Sequence, residues 1–450
     1  PDTLATMYNL ANLHIDQARY VEAEKLHQQT LQIRQRTLGE EHPETLTSMN
    51  GCANAYYKQG RFAQAQQIYE QTLATRRRTL GEEHPHTLES MNNLGSLYDD
   101  LGHFIEAEQY HRRVLEAYRK TLGNEHRLTL ISMCNLAISY RKQSRYDESE
   151  QSHLRTIAAF KRTLGDEHPL TVKNMTTLAN TYDDQGRYDE AVNLYEQALE
   201  IQRRTLGNEH LDTQISVINL GVIHHNERHY GRAEEKYDEA IRVLTRTQGE
   251  DFPLTIKAKG YMVRLWGSHA LELANAEILE ERNPKKAVRL AQQAVDFDPT
   301  IADTWYILGV ALCSQQECER AVEALERARG MQGDQNPFYQ IFLAIAYWKV
   351  GRSEAALREY FENAIWLMEE SRPPVQYRFR DEAEEVIGFD ELSDFYSGKL
   401  KDTPGDLTAA KLYTGFLLRH QRLEDIPLNT LQPNTSEATN PEGPMGEPNE

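Results

Sequence analysis

The stretch T-L-G-E-E-H-P, residues 37–43, recurs along the chain with small changes and sets its period. Its copies begin at Thr37, Thr79, Thr121, Thr163, Thr205 and Thr247, so every step is 42 residues. The glycine is typical of a helix end, and a proline in the seventh place fits the first turn of the next helix. Between copies, two apolar stripes with helical spacing are separated by a short break. The period therefore predicts repeats of two helices each.

Small residues recur at one position in each of the two helices of a repeat. The first-helix set is Ala11, Ala53, Gly95, Ala137, Ala179 and Gly221. The second-helix set is Ala23, Ala65, Ala107, Ser149, Ala191 and Ala233. Small residues let two helices approach closely, and the aromatic residue that opens each second helix fills the gap to the neighbouring repeat. Because one helix pair cannot bury its apolar faces alone, the repeats are expected to stack.

The spacing of small and aromatic residues resembles the tetratricopeptide repeat. The 42-residue period with L-G-x-E-H-P-x-T is similar to the lengthened repeats of kinesin light chains. This resemblance covers residues 1–258 in six copies. It implies an all-α fold, a right-handed α-solenoid of tetratricopeptide helix pairs.

A shorter period follows. Ala287 and Ala321 are 34 residues apart, as are Ala294 and Ala328, which is the period of ordinary tetratricopeptide repeats. These repeats resemble the ones that trail bacterial Ser/Thr protein kinases. We therefore predict six kinesin light chain-like repeats in 1–258, transition helices in 259–282, ordinary repeats in 283–370 and capping helices in 371–425. Residues 426–450 contain prolines and glutamates but no Lys or Arg, and are predicted to be a disordered tail.

The overall charge limits the classes of partner. The chain has 50 Lys+Arg and 69 Asp+Glu, a net charge of −19, whereas nucleic acids and anionic membranes require a basic surface. No stretch approaches the ~18 apolar residues of a membrane helix. Four scattered cysteines do not form a disulfide framework. We predict a cytoplasmic protein with a protein or peptide partner, and with neither a nucleic acid nor a membrane partner.

The sequence contains no catalytic signature. A phosphate-binding loop, a nucleophile elbow and the kinase motifs are all missing from it. Most of the 16 histidines follow the repeat period, which separates them too widely for shared zinc ligation. His225 and His229 are four residues apart, but the helix break after Asn226 spoils their spacing. We predict no catalytic residue, no metal site and no cofactor.

Asparagine is unusually frequent within the first helix of each pair, although it is a mediocre helix former. The residues concerned are Asn9, Asn12, Asn50, Asn54, Asn92, Asn93, Asn135, Asn180 and Asn219. By the resemblance, the first helices line the concave groove of the solenoid. A carboxamide can pair with both the N–H and the C=O of a bound peptide. We therefore predict that these residues line a peptide-binding groove; the alternative is that they bond to neighbouring repeats and hold the solenoid together.

Charges of alternating sign occupy one position near the end of the first helices. They are Asp16, Lys58, Asp100, Lys142 and Asp184. If equivalent positions lie opposite each other in stacked repeats, opposite charges can pair with both neighbours. The pattern predicts a ladder of ion pairs between repeats.

These observations together predict a non-enzymatic scaffold, which binds an extended segment of a partner protein in signalling. An alternative hypothesis is that the chain is the C-terminal regulatory or sensor region of a larger protein. That protein would be a Ser/Thr protein kinase or a nucleotide-switched, NB-ARC-like signalling protein. Both hypotheses share the same groove and differ in what lies upstream. The oligomeric state does not follow from the sequence.

Overall fold

The computed structural model describes residues 2–275, 283–332, 337–357, 387–388 and 391–396. Within these ranges the chain is helical, with turns and no strand. It divides into two compact units, Pro1–Tyr261 and Met262–Glu450. The described residues include no helix that is long and apolar enough to cross a membrane.

The first unit consists of consecutive helix pairs joined by the repeated linker. Its helices are α1 Asp2–Asp16, α2 Tyr20–Leu38, α3 Pro43–Lys58, α4 Phe62–Leu80, α5 Pro85–Asp100, α6 Phe104–Leu122, α7 Arg127–Lys142, α8 Tyr146–Leu164, α9 Pro169–Asp184, α10 Tyr188–Thr205, α11 Leu211–Asn226 and α12 Tyr230–Gln248. Each helix packs mainly against those before and after it in the sequence. The predicted all-α solenoid of helix pairs is confirmed, because each repeat packs mainly against its neighbours.

The small residues lie at the closest approach of paired helices, as predicted. Ala11, Ala53, Ala137 and Ala179 are fully buried. A Cβ on Gly95 would lie 2.9 Å from the imidazole of His111, a distance that forces the neighbour to move. Glycine at this position therefore makes room for a ring on the second helix.

The linker ends one helix and caps the next. Gly39 has a φ of 90°, which an L side chain rarely adopts. The following histidine has an extended backbone, and its Nδ1 accepts a hydrogen bond from the backbone N–H two residues later. This cap occurs at His42, His84, His126, His168 and His210. The periodic histidines thus satisfy N–H groups at helix starts.

Beyond α12, α13 spans Pro253–Asn275. The second unit then contains α14 Pro284–Phe297, α15 Ala302–Ser314, α16 Cys318–Gln332 and α17 Pro337–Lys349. Its core is apolar and includes Leu308, Leu312, Leu325 and Leu343. Of the predicted capping region 371–425, only 387–388 and 391–396 are described, and 391–396 is helical. The rest of that region and the predicted tail, 426–450, lie outside the described residues.

Candidate functional site

One pocket of the first unit, called here the asparagine pocket, lies on the first helices of the first three repeats. Its volume is about 410 Å³. It is lined by Asn12, Ile15, Asn54, Tyr57, Lys58, Tyr69, Asn93 and Ser96. All of these residues except Tyr69 belong to α1, α3 or α5. Three of the predicted asparagines thus face one cavity, with a lysine at its edge.

Two asparagines of this pocket also bond to neighbouring side chains. The hydroxyl of Tyr69 donates to Asn54 Oδ1 over 2.5 Å. The side-chain N–H of Asn93 donates to Asn50 Oδ1 of the preceding repeat over 3.3 Å. Burial raises the pKa of Tyr69 well above its ordinary value, so the hydroxyl stays protonated and remains a donor. Each of these asparagines therefore has one end of its carboxamide fixed.

The same arrangement recurs further along the first unit. Asn219 donates to the hydroxyl of Tyr195 over 3.0 Å, and that hydroxyl donates to Asn180 Oδ1 over 2.5 Å. Asn135 donates to Asn92 Oδ1 over 2.7 Å. The bonds of Asn219 and Asn135 link adjacent repeats, so these two asparagines help to hold the solenoid together.

The predicted site residues differ in accessibility. Asn50 is buried at 1% exposure, whereas Asn9 is exposed. Asn12, Asn54, Asn92, Asn93, Asn135, Asn180 and Asn219 are partly buried. Asn50 therefore positions Asn93, and the partly buried residues retain a surface that a ligand could touch. The peptide-binding role of the whole set stays a prediction.

The charge ladder forms in part, and one of its aspartates has a different partner from the predicted one. Lys142 Nζ lies 2.6 Å from Asp100 Oδ1, as the alternation predicts. Asp184, however, pairs with Arg141 at 2.5 Å instead of with Lys142, and Tyr57 donates to Asp100. The pairs Tyr57–Asp100 and Arg141–Asp184 are each 43 residues apart. Partners between stacked first helices are thus 42 residues apart in one pair and 43 in others, so equivalent positions do not always face each other.

Arginine and glutamate form a further set of contacts between repeats, which the sequence did not predict. Arg61 Nη1 lies 2.8 Å from Glu24, and its guanidinium is 4.2 Å from the ring centre of Tyr56. Arg145 and Arg187 repeat this geometry with Glu108 and Glu150, at 2.7 Å each. In the sequence, each of these arginines lies 37 residues after its glutamate. Nothing within a single repeat indicates that the two residues are partners.

A second ladder joins the second helices to the preceding linkers. Its pairs are Arg78–Glu41, Lys120–Glu83, Arg162–Glu125, Arg204–Glu167 and Arg246–Glu209. All of these side chains are more than half exposed. The second glutamate of the repeated linker therefore has an electrostatic role, and each pair contributes little because water and salt screen it.

Comparison with known proteins identifies the repeats. A family model described as tetratricopeptide repeat matches residues 2–78, 53–120, 104–162, 128–204 and 183–246. Two further models with the same description match residues 279–339 and 337–360. Together these matches span most of the described chain. No curated protein matches it.

Several solved structures are similar to this chain. Nearly identical TPR-like repeats of a putative kinesin light chain from Podospora anserina are 32% identical, with 46% of this chain and 97% of that chain covered and a TM-score of 0.38. BtubC (BKLC) from P. vanneervenii is 19% identical, with 55% and 92% covered and a TM-score of 0.39. A signal transduction ATPase with a tetratricopeptide repeat sensor from Pyrococcus horikoshii is 16% identical, with 86% and 50% covered and a TM-score of 0.47.

Proposed function

Since the chain belongs to the tetratricopeptide repeat family, whose repeats generally mediate protein–protein interactions, we propose that its first unit binds an extended peptide segment of a partner. The segment lies along the first helices and crosses the asparagine pocket. The carboxamides bind its backbone, so the recognition depends little on the ligand's side chains. No chemistry is performed on the bound segment.

The observation that carries this proposal is that, among the described residues, each carboxamide is hydrogen-bonded at one end only. In Asn54 and Asn180, Oδ1 accepts from a tyrosine, and the N–H₂ group has no partner among the described residues. In Asn93 and Asn135, the N–H₂ group donates to another asparagine, and Oδ1 has no partner there. One end is thus held in place by the solenoid, and the other end is available as a donor or an acceptor.

The spacing of the repeats suits an extended ligand. Neighbouring packed helices lie about 8–10 Å apart, and an extended peptide advances about 3.3–3.6 Å per residue. About three peptide residues therefore span one step between first helices. Donors at Asn54 and Asn180 and acceptors at Asn93 and Asn135 supply both partners that a peptide backbone requires.

The test uses a peptide selected against the full chain from a phage-displayed random library. The double variant Asn54→Asp and Asn180→Asp keeps the oxygens that accept from Tyr69 and Tyr195 but removes both free donors. We expect its affinity to fall by about 1–3 kcal/mol, the value of two hydrogen bonds, with an unchanged melting temperature. Fluorescence anisotropy measures the affinity, and a peptide with N-methylated backbone should bind weakly to the wild type.

Asn193→Asp is the matched control for the single variants Asn54→Asp and Asn180→Asp, because each adds one negative charge; Asn193 lies on the exposed surface of a second helix and accepts from Gln197. Equal losses in Asn193→Asp and in the single variants would mean that charge alone acts. Unchanged binding by the double variant and by the N-methylated peptide would refute backbone recognition in this groove. The regulatory role in a larger kinase or nucleotide-switched protein, and the cytoplasmic location, stay predictions.

A further inference from the structure

The break between the two helices of a repeat holds three side chains that touch each other. In the fifth repeat they are Tyr182, Gln185 and Arg187. The guanidinium of Arg187 lies 4.0 Å from the ring centre of Tyr182, and its Nη1 donates to Gln185 Oε1 over 3.0 Å. The second and fourth repeats have the same trio, as Tyr56, Gln59 and Arg61 and as Tyr140, Gln143 and Arg145.

In the sixth repeat all three members of this trio are replaced together. The equivalent residues, 42 positions later, are His224, Glu227 and His229. Each of them offers an atom that binds metal ions, whereas the glutamine and arginine of the second, fourth and fifth repeats are poor or incapable ligands. The first and third repeats each have one histidine here, His14 and His103. Three coordinated replacements at positions already in contact bring a His–Glu–His cluster together.

The distances within this cluster suit tetrahedral coordination. Nδ1 of His224 lies 3.3 Å from Glu227 Oε2, and Nδ1 of His229 lies 3.3 Å from the same oxygen. All three ligand atoms lie within 4.8 Å of one another. Ligands about 2.0–2.1 Å from a tetrahedral zinc ion are separated by roughly 3.3 Å. Two of the three separations therefore already have the value that a bound zinc ion requires.

The backbone fixes the three residues on a short, repeated turn. The N–H of His229 donates to the carbonyl of His224 over 2.8 Å. Arg228, between the ligands, has a φ of 61°, and its counterpart in the fifth repeat, Gly186, has a φ of 73°. The turn is the same as in the repeats without the cluster, so the fold positions the ligands independently of any ion.

The four-residue spacing in the sequence instead singles out His225 and His229. His225 packs against Tyr230, with ring centres 6.0 Å apart, and is not part of the cluster. His224 is buried at 4% side-chain exposure, while His229 is 55% exposed. A ligand set with one buried and one accessible histidine leaves a coordination position open to water.

We propose that His224, Glu227 and His229 bind a divalent transition-metal ion, Zn²⁺ in preference to Mg²⁺ or Ca²⁺, with water as the fourth ligand. Two imidazoles and one carboxylate favour Zn²⁺ over the oxygen-seeking ions. The ion links the C-terminus of α11 to the start of α12 across the helix break. It replaces the Arg–Tyr contact that joins the helices in the second, fourth and fifth repeats.

The experiment titrates the full chain, freed of metal with EDTA, with ZnCl₂ by isothermal calorimetry and with CoCl₂ by absorption spectroscopy. The decisive variant is His224→Tyr with Glu227→Gln and His229→Arg. It introduces the trio of the fifth repeat, which fits the same turn, so the variant is expected to fold. We expect one Zn²⁺ per cluster and tetrahedral Co²⁺ bands in the wild type. The variant should lose more than the 10–100-fold that outer-shell changes cost.

His225→Gln is the matched control, since it removes an adjacent histidine outside the cluster and should leave the affinity and the Co²⁺ bands unchanged. Calorimetry with MgCl₂ should give no comparable heat. Equal Zn²⁺ affinity of the wild type and the triple variant would overturn the proposal and assign binding to other histidines, such as those of the linkers. Absence of Zn²⁺ binding by the folded wild type would overturn it as well.

Discussion

The two units fill the same position of the helix pair with different chemistry. Four residues after the small residue of the second helix, the first unit has histidine or tyrosine, whereas the second unit has alanine in α14 (Ala291) and leucine in α16 (Leu325). His111 faces Gly95, Tyr237 faces Gly221 and Leu325 faces Gly309. All three facing residues are buried. One backbone arrangement therefore accepts a polar ring or an aliphatic side chain.

The two units also differ in how many polar side chains they bury. In the first unit, buried Arg76 donates to Ser90 over 2.8 Å and to the carbonyl of His86 over 2.7 Å, and buried Asp99 accepts from Ser139. In the described residues of the second unit, the buried polar residues are Thr304 and Gln340. Hydrogen bonds between repeats are directional and favour one register, whereas apolar contacts stabilise the packing without a preferred direction. The comparison predicts that pH and salt affect the first unit more than the second.

The largest effect on stability is expected from replacing Leu325, the leucine that faces Gly309. Leu325→Ala should destabilise the second unit by about 2–5 kcal/mol, because it removes a fully buried side chain and leaves a cavity. Urea unfolding followed by hydrogen exchange should show the loss in α15 and α16. Leu325→Met, of similar volume, is the control and should cost less than about 1.5 kcal/mol. An equal loss of protection in α3 and α5 would mean that the chain unfolds as one cooperative body.

An effect of intermediate size is expected from lowering the pH, which should destabilise the first unit. Burial lowers the pKa of His27 and of His153 from 6.5 to about 4. Between these values the unfolded chain binds more protons than the folded chain, so stability falls as the pH falls from 6.5 towards 4. Each histidine should remove about 1–2 kcal/mol between pH 7 and pH 5.

His153→Gln tests this expectation, since glutamine does not titrate and can still bond to Asn174, the partner of His153. Urea unfolding of the first unit at pH 7 and pH 5 should show a smaller loss in the variant. The second unit has no buried histidine among its described residues, so its stability should change little. The same pH dependence in His153→Gln and in the wild type would exclude this histidine as a source.

The smallest effect is expected from the exposed ladder. Arg162→Gln with Arg204→Gln removes the pairs with Glu125 and Glu167 and should cost about 0–1 kcal/mol per pair at low salt. The loss should disappear in 1 M NaCl. Arg36→Gln is the control, because Arg36 holds the equivalent position and has no ion-pair partner among the described residues. If the loss of stability persists in high salt, its source is the packing of the aliphatic part of the arginine side chains and not their charge.

The sequence by itself determined the helix pairs and the order of their packing. Repeats of 42 residues with small residues at fixed places leave few ways to bury the apolar faces, and glycine and proline mark the helix ends. Local rules and burial decide these features, and both are visible in the spacing. The linker histidines also follow the period, although their role as helix caps required the backbone geometry.

The tertiary structure alone decided which side chains meet between repeats. Asp184 pairs with Arg141, 43 residues before it, whereas Asp100 pairs with Lys142, 42 residues after it. Asn219 likewise donates to the hydroxyl of Tyr195 in the preceding repeat. A repeat period does not distinguish partners 42 residues apart from partners 43 residues apart. The choice between them depends on how bulky side chains interlock across the helix interface.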